Sequence, residues 1–311
     1  MDIKYKLRAL LANLGVDLIR MSGVFGPNYF GQWRNEFFDR SQAHGLHITP
    51  NHYYTPIPNR ADIARPIKPT PLVGLKLDTE SAAIRASTLL KQYELQLQFL
   101  SGSPDYDPSN QALHPLDAAL LYSIIRRASP RRIIEIGSGF STKVIARALR
   151  DGNIPAQFFC IEPFLPTFLK PLPAEVTEVI EHPVQEVPLS RFQDLEAGDI
   201  LFIDSTHVVR YGSDVIYEIL EILPSLRSGV LVHVHDIFLP DDYPQIWLKK
   251  YRFFWNEQYL LQAFLSMNPS FQVDFPVHAI KSKLTGYGRA IADAPGAETI
   301  ANSFWFNRRA D

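Results

Sequence analysis

Residues 132–142 decide the fold, and they read Arg-Ile-Ile-Glu-Ile-Gly-Ser-Gly-Phe-Ser-Thr. The β-branched apolar run at their start is typical of a strand that is buried on both faces of a parallel sheet. Two glycines then indicate a turn, and Val144, Ile145 and Ala148 share one face of the helix that we predict over 142–150. Glycines let a ligand approach the backbone, and the first N–H groups of a helix are free. This arrangement therefore predicts a nucleotide-type site.

An acidic residue, Glu135, precedes the first of these glycines by two positions. Its charge is unfavourable for a phosphate but favourable for a cationic ligand such as S-adenosylmethionine, which carries amino and sulfonium groups. A dinucleotide-binding fingerprint needs a third small residue three positions after the second glycine, where this chain has Thr142. The stretch therefore favours a cationic nucleoside over NAD, and an ordinary strand–turn–helix without a ligand is the alternative.

The overall composition is that of an ordinary globular protein. The chain has 311 residues, 46% of them hydrophobic and 21% charged, which is enough for one large domain or two modest ones. The formal net charge is −2 and no basic run stands out, so we expect no nucleic-acid partner. The single cysteine, Cys160, excludes a disulfide framework and a cysteine-rich metal site. No apolar run approaches a membrane span, and polar residues interrupt 1–21, so we expect no membrane partner, no signal peptide and a cytoplasmic location.

Residues 1–114 are predicted to form a helical and extended N-terminal region that serves as a substrate lid or in dimerisation. An amphipathic helix is expected over 1–21, and six prolines within 50–71 favour an extended segment. A further helix is expected from Asp78 to about Leu100. Its apolar residues form one seam, which packs against the chain's own core or against the partner in a homodimer.

From residue 115 onward, strand-like and helix-like segments alternate, which is typical of α/β proteins with a parallel sheet. We predict a Rossmann-like, doubly wound and mostly parallel sheet in a domain that spans 115–311. Helices are expected over 212–226 and 258–265. Beyond the first strand, further strands are expected over Gln157–Ile161, Val176–Ile180, Asp199–Ile203, Val230–Val234, Phe271–Val277 and Ser303–Asn307.

Ionisable residues stand at the ends of four of these strands: Glu135, Glu162, Asp204 and the pair His235-Asp236. Open α/β sheets bind ligands beyond the carboxyl ends of their strands, so we expect these side chains to line one crevice. A carboxylate at Glu162, after the second strand, can accept both ribose hydroxyls of a nucleoside. A solvated loop acid is the alternative for that residue.

The segment after the fourth strand, Asp204-Ser205-Thr206-His207, carries the most chemistry. Histidine titrates near neutral pH, so His207 is suited to take a proton from a hydroxyl whose oxygen attacks a methyl group. A structural histidine is the alternative. Asp204, His235 and Asp236 come from neighbouring strand ends, and two carboxylates with an imidazole suit a divalent cation. Here the alternative is a hydrogen-bonded polar cluster without a metal.

The sequence Glu135-x-Gly137-x-Gly139 resembles motif I, E/D-x-G-x-G, of the class I S-adenosylmethionine-dependent methyltransferases. Residues 115–307 are similar more broadly to the natural-product O-methyltransferases of macrolide-sugar type. In that group an Asp-x-x-His after the fourth strand and a pair of acids after the fifth bind magnesium and supply the base. Asp204-x-x-His207 matches the first element in both members, whereas His235-Asp236 matches the second only at Asp236. Magnesium, a transition metal and no metal therefore stay open as alternatives.

The resemblance implies a methyltransferase that binds S-adenosylmethionine and methylates a small-molecule acceptor, with O-methylation as the expected reaction. One alternative is an enzyme that runs other chemistry on the sulfonium, such as an intramolecular cyclisation. Another is a non-catalytic cofactor-binding protein, and a nicotinamide dehydrogenase ranks below both. We assign the cofactor to Glu135, Gly137, Ser138, Gly139, Glu162 and Asp204, catalysis to His207 and His235, and a divalent metal to Asp204, His235 and Asp236.

Overall fold

A computed structural model of the chain describes residues 15, 41–47, 55–66, 68–284 and 301–309. The chain divides into two compact units, Met1–Arg65 and Pro66–Asp311. Apart from residue 15, the helix predicted over 1–21 lies outside the described residues. The division of the chain at residue 114 stays a prediction.

The second unit contains a seven-stranded sheet. Its strands are β1 Arg132–Ile136, β2 Gln157–Ile161, β3 Val176–Ile180, β4 Ile200–Ile203, β5 Leu231–Val234, β6 Phe271–Pro276 and β7 Phe304–Arg308. They follow the order β3-β2-β1-β4-β5-β7-β6. Strands β1 to β5 pair in parallel, whereas β7 runs antiparallel to both β5 and β6. The predicted doubly wound, mostly parallel sheet is confirmed, including its two C-terminal strands.

In the chain, the helices of the described residues either precede β1 or stand between successive strands. They are α1 Arg60–Ala64, α2 Thr79–Gln92, α3 Pro115–Ala128, α4 Phe140–Gly152, α5 Ser190–Gln193, α6 Asp214–Tyr217, α7 Leu223–Ser225, α8 Glu257–Leu265 and α9 Val277–Ile280. A π-helical turn, Glu218–Ile222, joins α6 to α7, so the single helix predicted over 212–226 changes its winding in the middle. Within the described residues, none of the helices is both long enough and apolar enough to cross a membrane.

The isoleucines of β1 alternate between the two faces of the sheet. Ile133 packs in one buried cluster with residues of α2, α3 and α4. Ile134 and Ile136 pack in a second cluster, which includes Val215 of α6 and Leu261 of α8. Each such side chain stabilises the fold by about 1.5–3 kcal/mol when it is fully buried. Because both faces are covered in this way, ligands reach β1 at its carboxyl end.

The helix predicted from Asp78 to Leu100 is divided. Asp78 caps α2 as expected, since its Oδ1 accepts the N–H of Ser81 at 3.2 Å. The helix then ends at Gln92, and a 3₁₀ turn follows over Gln96–Ser101. The apolar seam is buried in the core of this chain, so it gives no support to a homodimer. Its members are Ala83, Ala86, Leu90, Tyr93, Leu97 and Leu100.

Candidate active site

A glycine turn connects β1 to α4 at the carboxyl edge of the sheet. Gly137 adopts a φ of +82°, and a Cβ at this position would overlap the carbonyl oxygen of Asp204, the residue after β4. The N–H of Asp204 in turn donates to the carbonyl of Ile136 at 2.9 Å. A Cβ at Gly139 would meet no described atom within 4 Å beyond its chain neighbours. Gly137 thus lets the ends of β1 and β4 touch, and Gly139 borders open space at the start of α4.

Glu135 lies fully buried beneath this turn. Its Oε2 accepts a hydrogen bond from Thr142 Oγ1 at 2.7 Å, and Thr142 Oγ1 accepts one from the N–H of Gly139 at 3.0 Å. Within the described residues, the other carboxylate oxygen, Oε1, has no hydrogen-bond partner. Burial raises the pKa of Glu135 to about 7, and the hydrogen bond from Thr142 limits the rise. Glu135 is therefore connected to the glycine turn through Thr142, which bonds both its carboxylate and the N–H of Gly139.

Glu162 follows β2 and turns back toward the glycine turn. Its Oε2 accepts the N–H of Ser138 at 3.2 Å, and its Oε1 accepts the N–H of Phe164 at 2.7 Å. The residue is only partly buried, and a carboxylate has about four acceptor positions, so it retains capacity for hydroxyl donors. Four of the residues assigned to the cofactor thus lie around one turn, and their binding role stays a prediction. They are Gly137, Ser138, Gly139 and Glu162.

A polar cluster formed by Asp204, His207 and Asp236 lies beside the glycine turn. Nε2 of His207 is 3.4 Å from Oδ1 of Asp204 and 3.4 Å from Oδ2 of Asp236. One oxygen of each carboxylate and one ring nitrogen all lie within 4.8 Å of one another. His207 and Asp236 adopt φ values of +61° and +58°, which are uncommon for residues other than glycine and often occur at functional sites. These two backbone conformations accompany the convergence of the three side chains.

His207 has a partner on each ring nitrogen. Nδ1 lies 2.8 Å from Oε2 of Glu257, the first residue of α8, which is fully buried. The ring of Trp255 lies 4.3 Å from the imidazole, centroid to centroid. Burial lowers the pKa of His207, but hydrogen bonds to Asp204 and Glu257 outweigh it and hold the pKa well above its usual value. The cluster therefore stabilises a positive charge on or beside Nε2.

His235 does not join this cluster, although the sequence assigned it to the metal with Asp204 and Asp236. Its Nε2 lies 3.1 Å from the carbonyl oxygen of Ala112, in the segment before α3. This ring nitrogen therefore contacts the segment before α3 and not the two carboxylates. Among the described residues, the converging ligand atoms belong to Asp204, His207 and Asp236. His207 therefore joins the residues that could hold a cation, while the metal and catalytic assignments of His235 stay predictions.

Two residues that the sequence analysis did not single out complete the cluster. Glu257 holds His207, and Nδ2 of Asn302 donates a hydrogen bond to Oδ1 of Asp236. Glu257 stands 50 positions after His207. An acidic residue in the first turn of a helix is common, because it interacts favourably with the helix dipole. The sequence around Glu257 therefore carries no signal that separates it from ordinary helix capping, and only the fold reveals its partner.

Comparison with known proteins points to one family. Residues 134–237 match a family model described as a methyltransferase domain. The matched range begins in β1 and ends just after Asp236, so it contains the glycine turn and the whole polar cluster. An uncharacterized protein of Archaeoglobus fulgidus is 30% identical over 187 residues, which cover 54% of this chain and 81% of that protein.

Methyltransferases are among the solved structures that are similar to this chain. The SAH-bound methyltransferase PaMTH1 of Podospora anserina is 16% identical, with 91% of this chain and 100% of that chain covered and a TM-score of 0.42. The O-methyltransferase TomG of Streptomyces achromogenes, solved in complex with SAM, is 15% identical, with 76% and 92% covered and a TM-score of 0.37.

The family match agrees with the order of the strands and with the position of the acidic residue and the two glycines after β1. The predicted resemblance is therefore confirmed, and S-adenosylmethionine is the cofactor that this family uses. Residues 134–237 therefore belong to a methyltransferase domain of the class I, S-adenosylmethionine-dependent type.

Proposed function

We propose that this protein transfers the methyl group of S-adenosylmethionine to a hydroxyl oxygen of a small-molecule acceptor. One observation carries the proposal: the polar cluster lies directly against the glycine turn, because Gly137 contacts the backbone of Asp204. In methyl transfer the cofactor brings the electrophile, so the protein has to align two reactants and accept one proton. The turn would hold the cofactor, and the neighbouring cluster would receive the proton of the acceptor.

The cofactor residues have distinct roles in this proposal. Gly137, Ser138 and Gly139 form the surface on which the cofactor lies, and Glu162 accepts the ribose hydroxyls. Glu135 places a carboxylate beneath a ligand that carries amino and sulfonium groups. Its Oε1, which has no hydrogen-bond partner among the described residues, supports this role, because a buried carboxylate oxygen gains from a nearby cation.

In its neutral form His207 takes the proton of the acceptor; its pKa is held well above the usual value, so this form gains population as the pH rises. As the acceptor oxygen forms its bond to the methyl carbon, the bond between that carbon and the sulfur breaks, and the hydroxyl proton moves to Nε2 of His207. The products are the methyl ether, neutral S-adenosylhomocysteine and a protonated imidazole. Asp204 and Asp236, each 3.4 Å from Nε2, stabilise that positive charge.

The donor set of the same cluster fits a divalent cation. Asp204, His207 and Asp236 would hold it through two carboxylates and one imidazole nitrogen, and Glu257 and Asn302 would orient two of these ligands. A bound cation supplies Lewis acidity, which lowers the pKa of a coordinated hydroxyl. Nε2 cannot be a ligand and the base at the same time, so the two uses of His207 exclude each other.

Turnover of a panel of hydroxylated small molecules, followed by mass spectrometry, tests the proposal. We expect equal amounts of methylated product and S-adenosylhomocysteine. Methylthioadenosine in place of S-adenosylhomocysteine would contradict methyl transfer and indicate cyclisation. Cofactor binding without turnover of any acceptor would indicate a binding protein. A chelator that leaves turnover intact would assign His207 as the base, and one that abolishes turnover would assign it as a ligand.

We also propose that residues 1–114 cover the acceptor side of the site or join two copies in a homodimer, in a cytoplasmic protein. The support comes from sequence: the amphipathic pattern over 1–21 has an apolar face that needs a partner surface. Light scattering of the full chain at micromolar concentration checks the dimer, and a monomeric mass would contradict it.

A further inference from the structure

We infer that Glu257 is the positioning residue of His207: it keeps one imidazole proton on Nδ1 and thereby presents Nε2 to Asp204 and Asp236. The inference rests on the proposed function of His207. It goes beyond that function because it assigns a role to a residue of α8, outside the range that matches the methyltransferase domain.

The contact between the two side chains sets the direction of the hydrogen bond. Nδ1 of His207 lies 2.8 Å from Oε2 of Glu257, which is typical of a hydrogen bond to a charged acceptor. A carboxylate accepts and does not donate, so the proton lies on Nδ1. When the imidazolium loses one proton, Glu257 holds the remaining proton on Nδ1 and the lone pair is left on Nε2. Without this partner the neutral ring divides between two tautomers, and only one of them leaves the lone pair on Nε2.

The backbone fixes the two residues as one unit. The carbonyl oxygen of His207 accepts the N–H groups of Asn256 and Glu257, at 3.1 and 3.2 Å. Oδ1 of Asn256 also accepts the N–H of Val209 at 2.6 Å. The start of α8 is thus bound to the segment that carries His207. Ring and carboxylate therefore keep their relative position, which a positioning role requires.

The burial of Glu257 indicates that a contribution to the stability of the fold does not explain why a glutamate occupies this position. Its side chain is fully buried, and within the described part of the chain Oε1 has no hydrogen-bond partner. A buried carboxylate with an incomplete set of partners opposes folding, and an apolar side chain of similar size would pack there at lower cost. The side-chain hydrogen bond that Glu257 does form is the one to His207.

The test uses the full chain labelled with [¹⁵N]histidine and observes the imidazole N–H protons by NMR. We expect a downfield, slowly exchanging proton on Nδ1 of His207, which is identified by its loss in His207→Ala. Glu257→Ala should abolish this signal, because Nδ1 loses its buried acceptor. Glu257→Asp, which keeps the carboxylate on a shorter side chain, should retain a shifted signal.

Kinetics supply the second readout. Glu257→Ala should lower kcat by about 10-fold to 100-fold, the range for outer groups that orient a functional imidazole, while the affinity for S-adenosylmethionine stays the same. Glu257→Asp should recover part of kcat. The matched control is Asp199→Asn, which removes a buried carboxylate at the opposite end of β4, where it accepts the N–H groups of Arg131 and Arg132. This variant should leave the NMR signal of His207 unchanged.

Two results would overturn the inference: an unprotonated Nδ1 in the unmodified protein, or a Glu257→Ala variant that keeps both the Nδ1 proton and its kcat. If the NMR signals behave as expected but no acceptor is methylated, the proposed function fails while the pairing of Glu257 with His207 stands. The two failures are therefore distinguishable.

Discussion

The two halves of the crevice are assembled in different ways. The glycine turn comes from one strand–turn–helix, in which Glu135, Gly139 and Thr142 meet through local contacts. The polar cluster draws on the ends of β4 and β5 and on the start of α8, and its members meet because β4 pairs with β5. A short sequence therefore determines the first half, while the second depends on the order of the strands. If this division is correct, variants of one half should alter cofactor binding and variants of the other should alter turnover.

The largest expected effect separates the halves directly. His207→Ala should lower kcat by about 10²-fold or more, the range for a lost general base, because the acceptor proton loses its destination. The affinity for S-adenosylmethionine should change little, since His207 lies in the polar cluster and not in the glycine turn. Steady-state kinetics and calorimetry on the same preparation measure both quantities. Normal turnover of the variant, or a loss of cofactor affinity as large as the loss of kcat, would contradict the assignment of the two halves to binding and turnover.

Glu135 offers a test through pH. Its pKa is about 7 in the folded protein, above the ordinary value of 4.5, so the folded chain binds this proton more tightly than the unfolded chain does. The stabilising contribution is fully present below about pH 4.5 and is lost as the pH rises through 7. It amounts to about 3 kcal/mol, at about 1.36 kcal/mol per pKa unit. Urea unfolding of the unmodified chain and Glu135→Gln across this range should reveal it, and parallel pH profiles would contradict it.

A variant of Glu162 tests the cofactor-binding half of the crevice separately from the polar cluster. Glu162→Ala removes the carboxylate that we assign to the ribose hydroxyls, so the affinity for S-adenosylmethionine should fall by about 1.5–3 kcal/mol, the range for hydrogen bonds to charged groups. At saturating cofactor, kcat should be nearly restored. Calorimetry measures the affinity, and a folded variant with undiminished affinity would remove Glu162 from the cofactor site.

The smallest expected effect concerns Thr142, which links Glu135 to the N–H of Gly139. Thr142→Val keeps the shape but removes both hydrogen bonds, so the free energy of unfolding should fall by about 1–3 kcal/mol and cofactor affinity should weaken slightly. Thr88→Val on the exposed face of α2 is the control, because within the described residues the hydroxyl of Thr88 donates to the carbonyl of Ile84 in its own helix. Equal urea midpoints for the two variants would show that the link is unimportant.

The sequence predicts those features of the fold that depend on hydrophobic periodicity and on residues close to one another in the chain. The isoleucines of β1 and the glycines after it predict the buried strand and its turn, since neighbouring residues supply all the necessary constraints. His235 shows the limit of this reasoning. Its place at a strand end is predicted correctly, but one of its ring nitrogens, Nε2, contacts the carbonyl oxygen of Ala112, which lies far earlier in the chain. Glu257 was not predicted at all, because its partner, His207, is 50 positions away.

The most direct measurement of the central claim is calorimetric titration of the full chain with S-adenosylhomocysteine and, separately, with NAD. The glycine turn with Glu135 beneath it and Glu162 beside it predicts binding of S-adenosylhomocysteine in the micromolar range, about −8 kcal/mol, and much weaker binding of NAD. Tight binding of NAD, without any response to S-adenosylhomocysteine or S-adenosylmethionine, would contradict the account.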